Sequence, residues 1–274
     1  MKKLLMILIL IFTFPVKVIC YETNVHRKMT GYAVSSSNIS SYLKNDLNIN
    51  LTDNFRDRTA QEWMEDGSEW EDDNWTQRWL NHFYDPITGS GLTGSKAWGQ
   101  PSLQWGKEYY SNLWSWKWAR NYFYNALAHA SPDQRDAYFA KLFRSLGHIA
   151  HLVQDLASPA HVRNDPHGAP IINYSMYEDY TKKRAASLSY SGYPAVDISV
   201  FNSFDKFWAS SGKGLSEYTN TNFFSDDTIF KNYPHPAREN TTAKLVEQTA
   251  RDGKLDKVWY IQGYTSERLA AYSY

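Results

Sequence analysis

The chain has 274 residues, its 29 Lys and Arg balance 29 Asp and Glu, and aromatic side chains make up 16% of it. No basic excess exists to neutralise a polyanion, which argues against a dedicated nucleic-acid partner. Cys20 is the only cysteine, so no disulfide framework is available, and stapling falls to core packing or to metal.

The first residues read as a targeting segment. Met1-Lys2-Lys3 precedes the apolar run Leu4–Phe14, which is too short for a membrane span of about 20 residues. Residues 1–20 fit a secretory signal peptide, with Val18 and Cys20 at the −3 and −1 positions of a cleavage site. That expectation places the mature chain, Tyr21–Tyr274, outside the cell or in the periplasm. Its 254 residues suit one domain with a substantial core. Acylation of Cys20 is the rival reading, disfavoured by Ile19 just before it. Loss of the segment removes Lys2, Lys3 and Lys17 and no acid, leaving 26 basic against 29 acidic residues, a formal −3.

Along the mature chain the apolar spacing is helical. Thr23 or Asn24 caps a helix from near His26, with Met29, Ala33 and Val34 on its apolar face. Residues 54–66 predict a helix stopped by Gly67. An acidic, tryptophan-rich stretch and the turn-rich "NHFYDPITGSG" follow. Residues 103–129 predict one long helix with Tyr109, Leu113, Trp116 and Tyr124 among its large apolar members. The next helix has Ser131 as N-cap and Pro132 at its first position, and Pro159 stops it. Its core spacing is Phe139, Leu142, Leu146, Ile149 and Val153. Past residue 183 the chain turns polar, then becomes helical again from about Thr241. No alternating strand pattern is evident, so the expectation is an all-α fold, a single domain of seven or eight helices. "ERLAAYSY" reads as the middle of a helix, which suggests that the sequence continues.

One stretch, "HLVQDLASPAH" at 151–161, sets metal-capable side chains among core residues. On a helix His148, His151 and Asp155 fall at about 0°, 300° and 340°, one narrow stripe. His151 and Asp155, four residues apart, can therefore grip one ion. A lone histidine in such a place is more often a satisfied core residue. The balance shifts because His26, His82 and His161, with the carboxylates of "WEDD", supply the nitrogen and oxygen ligands that zinc prefers.

"HFYDP" at 82–86, followed by His151-x3-Asp155-x5-His161, resembles the bacterial zinc-dependent phospholipase C family. That family is similar in fold to the single-strand-specific zinc nucleases of fungi. The resemblance spans roughly residues 21–180. It implies a helical domain with a trinuclear zinc cleft, one zinc being held by the mature N-terminus. Carried over, Asp72, His82, His151 and Asp155 hold one zinc, with Glu71 and Asp73 flanking Asp72. Tyr21 (through its amine and carbonyl), His26 and a bridging Asp155 hold a second. His161 and Glu178 hold the third. The histidine that the family places four residues before its glutamate is replaced by Tyr174, and His167 is the expected substitute. His148 is expected to pack or support the ligands, and His129 and His235 to sit at a helix end and in a loop.

The resemblance implies a secreted phospholipase C. Its zinc-activated water would cut phospholipid to diacylglycerol and a phosphorylated head group, with Asp155 fixing the zinc pair and Asp72 accepting a proton. Exposed tryptophans of "DDNWTQRW" would make transient contact with a membrane surface. A zinc nuclease on the same scaffold is the alternative, and Tyr174 favours a third reading, a zinc-stabilised binding module that has lost catalysis.

Overall fold

The computed structural model describes residues 23–72, 78–92, 99–167, 175–184, 198–223, 225, 242–249, 255–262 and 268–273. Residues 1–20, read above as a signal segment, and Tyr21, Asp73, Tyr174 and His235 lie outside them. The described chain is mostly helical: α1 (Thr23–Ser36), α2 (Ile39–Leu47), α3 (Ala60–Trp70), α4 (Ser102–Glu108), α5 (Trp116–Ala128), α6 (Pro132–Asp155), α7 (Pro159–Val162), α8 (Met176–Arg184), α9 (Phe204–Trp208) and α10 (Leu215–Asn222). A short antiparallel pair, β1 (Asn54–Phe55) with β2 (Arg58–Thr59), precedes α3.

Helix α6 is the axis on which the rest is hung. Its N-terminal half packs Ala140 and Phe143 with Val34, Leu43, Phe55, Ala60 and Met64 from α1 to α3. Leu142 joins Ala119 and Tyr122 of α5 in a second cluster. Leu152, near the C-terminus, packs with Leu156, Tyr84, Trp105, Val162 and Trp208. Burial at about 25 cal/mol per Å² makes these clusters the main stabilising term.

The crossing of α3 and α6 is unusually close, and two glycines permit it. A Cβ on Gly67 would lie 2.2 Å from the Arg144 carbonyl oxygen, and one on Gly147 2.1 Å from that of Met64. Both are main-chain contacts that no rotamer change relieves.

This explains the first departure from the sequence expectation. Gly67 does not stop a helix over 54–66; it lies inside α3, where tertiary contact offsets its weak helix propensity. Residues 54–59 instead form the β1–β2 hairpin. Arg56 there has φ 64°, and Thr59 and Glu62 form a capping box that starts α3.

The run 103–129 is also two helices. Asn112 breaks it: its side-chain amide donates to the Trp105 carbonyl at 2.9 Å, and its oxygen accepts from the Trp114 N–H at 3.1 Å. The buried face of α5 is Ala119, Tyr122 and Ala126, whereas Leu113 and Tyr124 are exposed. Ser131 and Pro132 do open α6, although Ser131 makes no side-chain cap bond. The helix ends at Asp155, four residues before Pro159, which occupies the first position of α7.

The C-terminal expectation fails outright. Residues from Thr242 form an antiparallel sheet, β3 (Thr242–Thr249), β4 (Leu255–Gln262) and β5 (Arg268–Ser273), in the order β3-β4-β5. "ERLAAYSY" is therefore largely strand, and not the middle of a helix.

Gly147→Ala should destabilise the protein by at least about 1–3 kcal/mol, the usual range for overpacking, measured by urea unfolding. An alanine variant as stable as the wild type would show that the crossing is not tight.

Candidate metal centre

The site forms where three segments meet the C-terminal half of α6. His151 and Asp155 come from α6 and His26 from α1. Asp72 lies just past α3, and His82 follows a 3-10 turn, Arg78–Asn81. All five are buried.

"HFYDP" does more than carry a ligand. Phe83 is buried and stacks its ring on His161, with centroids 4.7 Å apart and planes 7° from parallel. The Tyr84 N–H donates to the His161 carbonyl at 2.9 Å, lacing this segment to α7. Asp85 accepts from the Ile87 N–H and the Thr88 hydroxyl, closing the turn beyond. His82 and His161 are thereby held on neighbouring backbones.

Asp155 is the centre of the cluster. Its Oδ2 lies 3.1 Å from His82 Nδ1, 3.2 Å from His151 Nε2 and 3.5 Å from His161 Nδ1, while its Oδ1 lies 3.5 Å from His26 Nε2. Asp72 Oδ1 stands 3.4 Å from His82 Nδ1 and 3.6 Å from His151 Nε2. Direct charge-assisted hydrogen bonds are shorter, about 2.7–2.9 Å. Tetrahedral zinc with bonds of about 2.0–2.1 Å separates its ligand atoms by about 3.3 Å. The observed spacings match two ligands on one ion, and neither oxygen of Asp72 or Asp155 accepts a hydrogen bond.

The outer nitrogens support the same interpretation. His151 Nδ1 donates to the Ser68 carbonyl at 2.6 Å. His26 Nδ1 donates to Gln154 Oε1 at 2.7 Å, and that amide is itself held on Thr30 at 2.9 Å. His167 Nδ1 donates to the Asp165 carbonyl at 2.9 Å. Each bond holds a proton on Nδ1 and turns Nε2 towards the cluster, as in metal-ligating histidines, so that Nε2 can ligate once it carries no proton.

Four overlapping groups follow, each with ligand atoms within 4.8 Å of one another: His26, His151 and Asp155; Asp72, His82 and His151; His82, Asp155 and His161; His161, His167 and Glu178. These buried clusters can bind metal ions. His167 Nε2 stands 2.7 Å from Glu178 Oε1, and His161 Nε2 3.5 Å from the same oxygen. The structure thus brings together every expected ligand among the described residues. Its spacing in the chain gave no signal for His167, because "RNDPHG" belongs to no helix stripe. Among the described residues, His129 caps the end of α5 away from this cluster. Sequence reasoning chose Asp72, with Glu71 and Asp73 flanking it; Asp72 belongs to a ligand group, whereas Glu71 is buried beside it.

Without a metal the cluster is electrostatically tense. Burial, then the neighbouring His151, push His26 down to about 3. His82 is drawn up to about 10, because Asp155 outweighs the burial that opposes its charge. Burial lifts Asp72 to about 6. Burial also opposes Glu178 ionisation, but the charge on His167 holds it at about 2; conversely Glu178 overcomes burial to lift His167 to about 9.

Comparison of the chain with protein-family models, curated proteins and solved structures finds no match. No described helix is long and apolar enough to cross a membrane.

Ion uptake should raise stability by about 4 kcal/mol when free zinc exceeds its Kd a thousandfold, seen as a higher Tm that a chelator reverses. Asp155→Asn should lose most of that increment. Uptake must also displace protons from His82 and His167, whose pKa values lie above their ordinary 6.5. Affinity should therefore rise with pH until His167 and His82 lose their protons, near 9 and 10, and calorimetry in two buffers would count the released protons.

For the metal-free protein the signs are separate. The raised His167 contributes stability that is full below 6.5 and lost as pH rises through about 9. The depressed Glu178 contributes stability present above 4.5 and lost as pH falls through about 2. His167→Gln should flatten the alkaline limb of a metal-free stability profile.

Proposed function

We propose that the protein is a secreted, zinc-dependent phosphodiester hydrolase, most closely a phospholipase C that releases diacylglycerol and a phosphorylated head group. One observation carries the hydrolase reading: four ligand groups share His82, His151, Asp155 and His161, so adjacent ions would sit side by side across one carboxylate. The donor set is nitrogen and oxygen only, which suits zinc, and three ions would use it fully.

When bound, such ions supply Lewis acidity towards phosphoryl oxygens and lower the pKa of a coordinated water to about 7. The chain's own residues supply the rest. Asp155 presents one oxygen to His26 and the other to His82 and His151, and it would serve as a ligand in both of the first two sites. His161 and Glu178, with His167, would form the third site, for a phosphate oxygen or the leaving group. Asp72 keeps oxygens that accept no hydrogen bond, and by the resemblance one of them would take the proton of an attacking water. Tyr21, freed by cleavage after Cys20, would complete the site beside His26.

Lipid as the substrate rests on the likeness of "HFYDP" and His151-x3-Asp155-x5-His161 to the phospholipase C family, together with the formal −3 of the mature chain. A zinc nuclease remains the second reading because the same ligand constellation serves both.

Signal-processed protein loaded with zinc should hydrolyse phosphatidylcholine in mixed micelles faster than single-stranded DNA. Asp155→Asn should abolish turnover and reduce zinc content together. Faster cleavage of DNA would favour the nuclease, while three zincs with no turnover on any phosphodiester would favour the binding module.

A further inference from the structure

Behind His82 lies a carboxylate that no ligand group includes. Glu71 is fully buried, yet it is not a stray charge. Its Oε2 accepts from Arg78 Nη2 at 2.5 Å, Arg78 Nε at 3.0 Å and His148 Nδ1 at 2.5 Å. Its Oε1 accepts from the Trp105 indole N–H at 2.8 Å. Each carboxylate oxygen offers about two acceptor positions; Oε2 is crowded by three donors, whereas Oε1 takes only the indole and keeps one position, and His82 Nε2 stands 3.7 Å from that oxygen.

The line continues outward. His148 donates from Nδ1 to Glu71, so its Nε2 is free to accept, and Arg144 Nε reaches it at 3.3 Å. The Arg144 guanidinium is clamped between the rings of Trp70, 4.4 Å away, and Trp114, 4.0 Å away. Trp114 in turn stacks on the His148 ring at 5.3 Å. Every member of the line has a fixed orientation before the cluster is reached.

This arrangement makes a prediction about His82. Its Nδ1, the nitrogen nearer its own backbone, faces Asp72, Asp155 and His151. A histidine uses that nitrogen as a ligand only when the proton is kept on Nε2, and an anionic acceptor there is what keeps it. We propose that Glu71 is the positioning residue of the metal centre. It holds His82 in the tautomer and ring orientation that offers Nδ1 to the ion, and the Arg144–His148 line keeps its carboxylate turned. The proposal rests on the metal-hydrolase reading above, specifically on its metal centre. A purely structural role would be satisfied by the bonds to Arg78, His148 and Trp105; the facing of Oε1 to His82 would then be incidental.

Cobalt as a spectroscopic probe separates these. Wild type, Glu71→Gln and His148→Phe would be titrated with Co²⁺, reading affinity by competition and the ligand field by visible absorption. Metal-free Tm would be recorded for each as the structural control. Glutamine keeps the shape but turns an NH2 towards either the Arg78 and His148 donors or the His82 N–H. Its cobalt affinity should fall by about 10–100-fold, the usual range for an outer-shell partner, with a shifted spectrum. His148→Phe keeps the stack on Trp114 and the charge of Glu71, and should lose about tenfold, at the lower end of that range. If Glu71→Gln does not fold, His148→Phe decides. A folded variant with lowered Tm but wild-type affinity and spectrum overturns the positioning role. Wild-type protein that takes up no cobalt or zinc overturns the metal reading itself, and the proposal with it.

Discussion

Two glycines allow α3 and α6 to cross with main chain against main chain, and the centre depends on that contact. With a Cβ at Gly67 or Gly147 the helices would stand apart. The Ser68 carbonyl, one residue past Gly67, is the acceptor that orients His151. Glu71, one turn further, meets His148, which follows Gly147. Asp72 comes next and faces His82 and His151. A local steric condition, the absence of two methyl groups, therefore sets which nitrogens and oxygens converge.

Convergence brings an electrostatic problem that hydrogen bonds alone do not resolve. Five histidines and three carboxylates, Asp72, Asp155 and Glu178, are buried in one region. Burying an ionised group without a partner is expensive, and several such groups together are more so. The chain answers partly with fixed tautomers and partly with opposed charges, which is why His26 and His82 are driven in opposite directions. Atom separations of 3.1–3.6 Å around Asp155 and Asp72 are too long for that answer to be complete. Divalent cations bound between these groups would resolve it by taking the place of protons.

Part of the cluster was legible because His151 and Asp155 obey helical spacing; its other residues were assigned their places only by the resemblance. His151 and Asp155 share a stripe on any helix, and α6 begins at Ser131–Pro132 as its capping residues suggest. "HFYDP" stood out by its resemblance to a family motif, although the service of Phe83 and Tyr84 to His161 is a tertiary matter. What was not legible failed for identifiable reasons. Gly67 was read by its local propensity, which a close helix crossing overrode. Asn112 breaks a periodic run with side-chain hydrogen bonds to Trp105 and Trp114 that periodicity cannot register. Tyr124 was counted among the large apolar members of one long helix, yet it is 69% exposed. The strands after Thr242 had one available signal, Asp252-Gly253 between two segments rich in β-formers, and it was passed over. Glu71 and Asp72 are adjacent at a helix end, about 100° apart in direction, so their different partners depend on the turn that follows α3.

The central claim is that these buried histidines and carboxylates are metal ligands and not a self-contained polar network. Anomalous diffraction at the zinc absorption edge, from crystals of signal-processed protein grown with zinc, tests it most directly. The account predicts three peaks, enclosed by His26, His151 and Asp155, by Asp72, His82 and His151, and by His161, His167 and Glu178. Clear density for these side chains with no anomalous signal between them would contradict it.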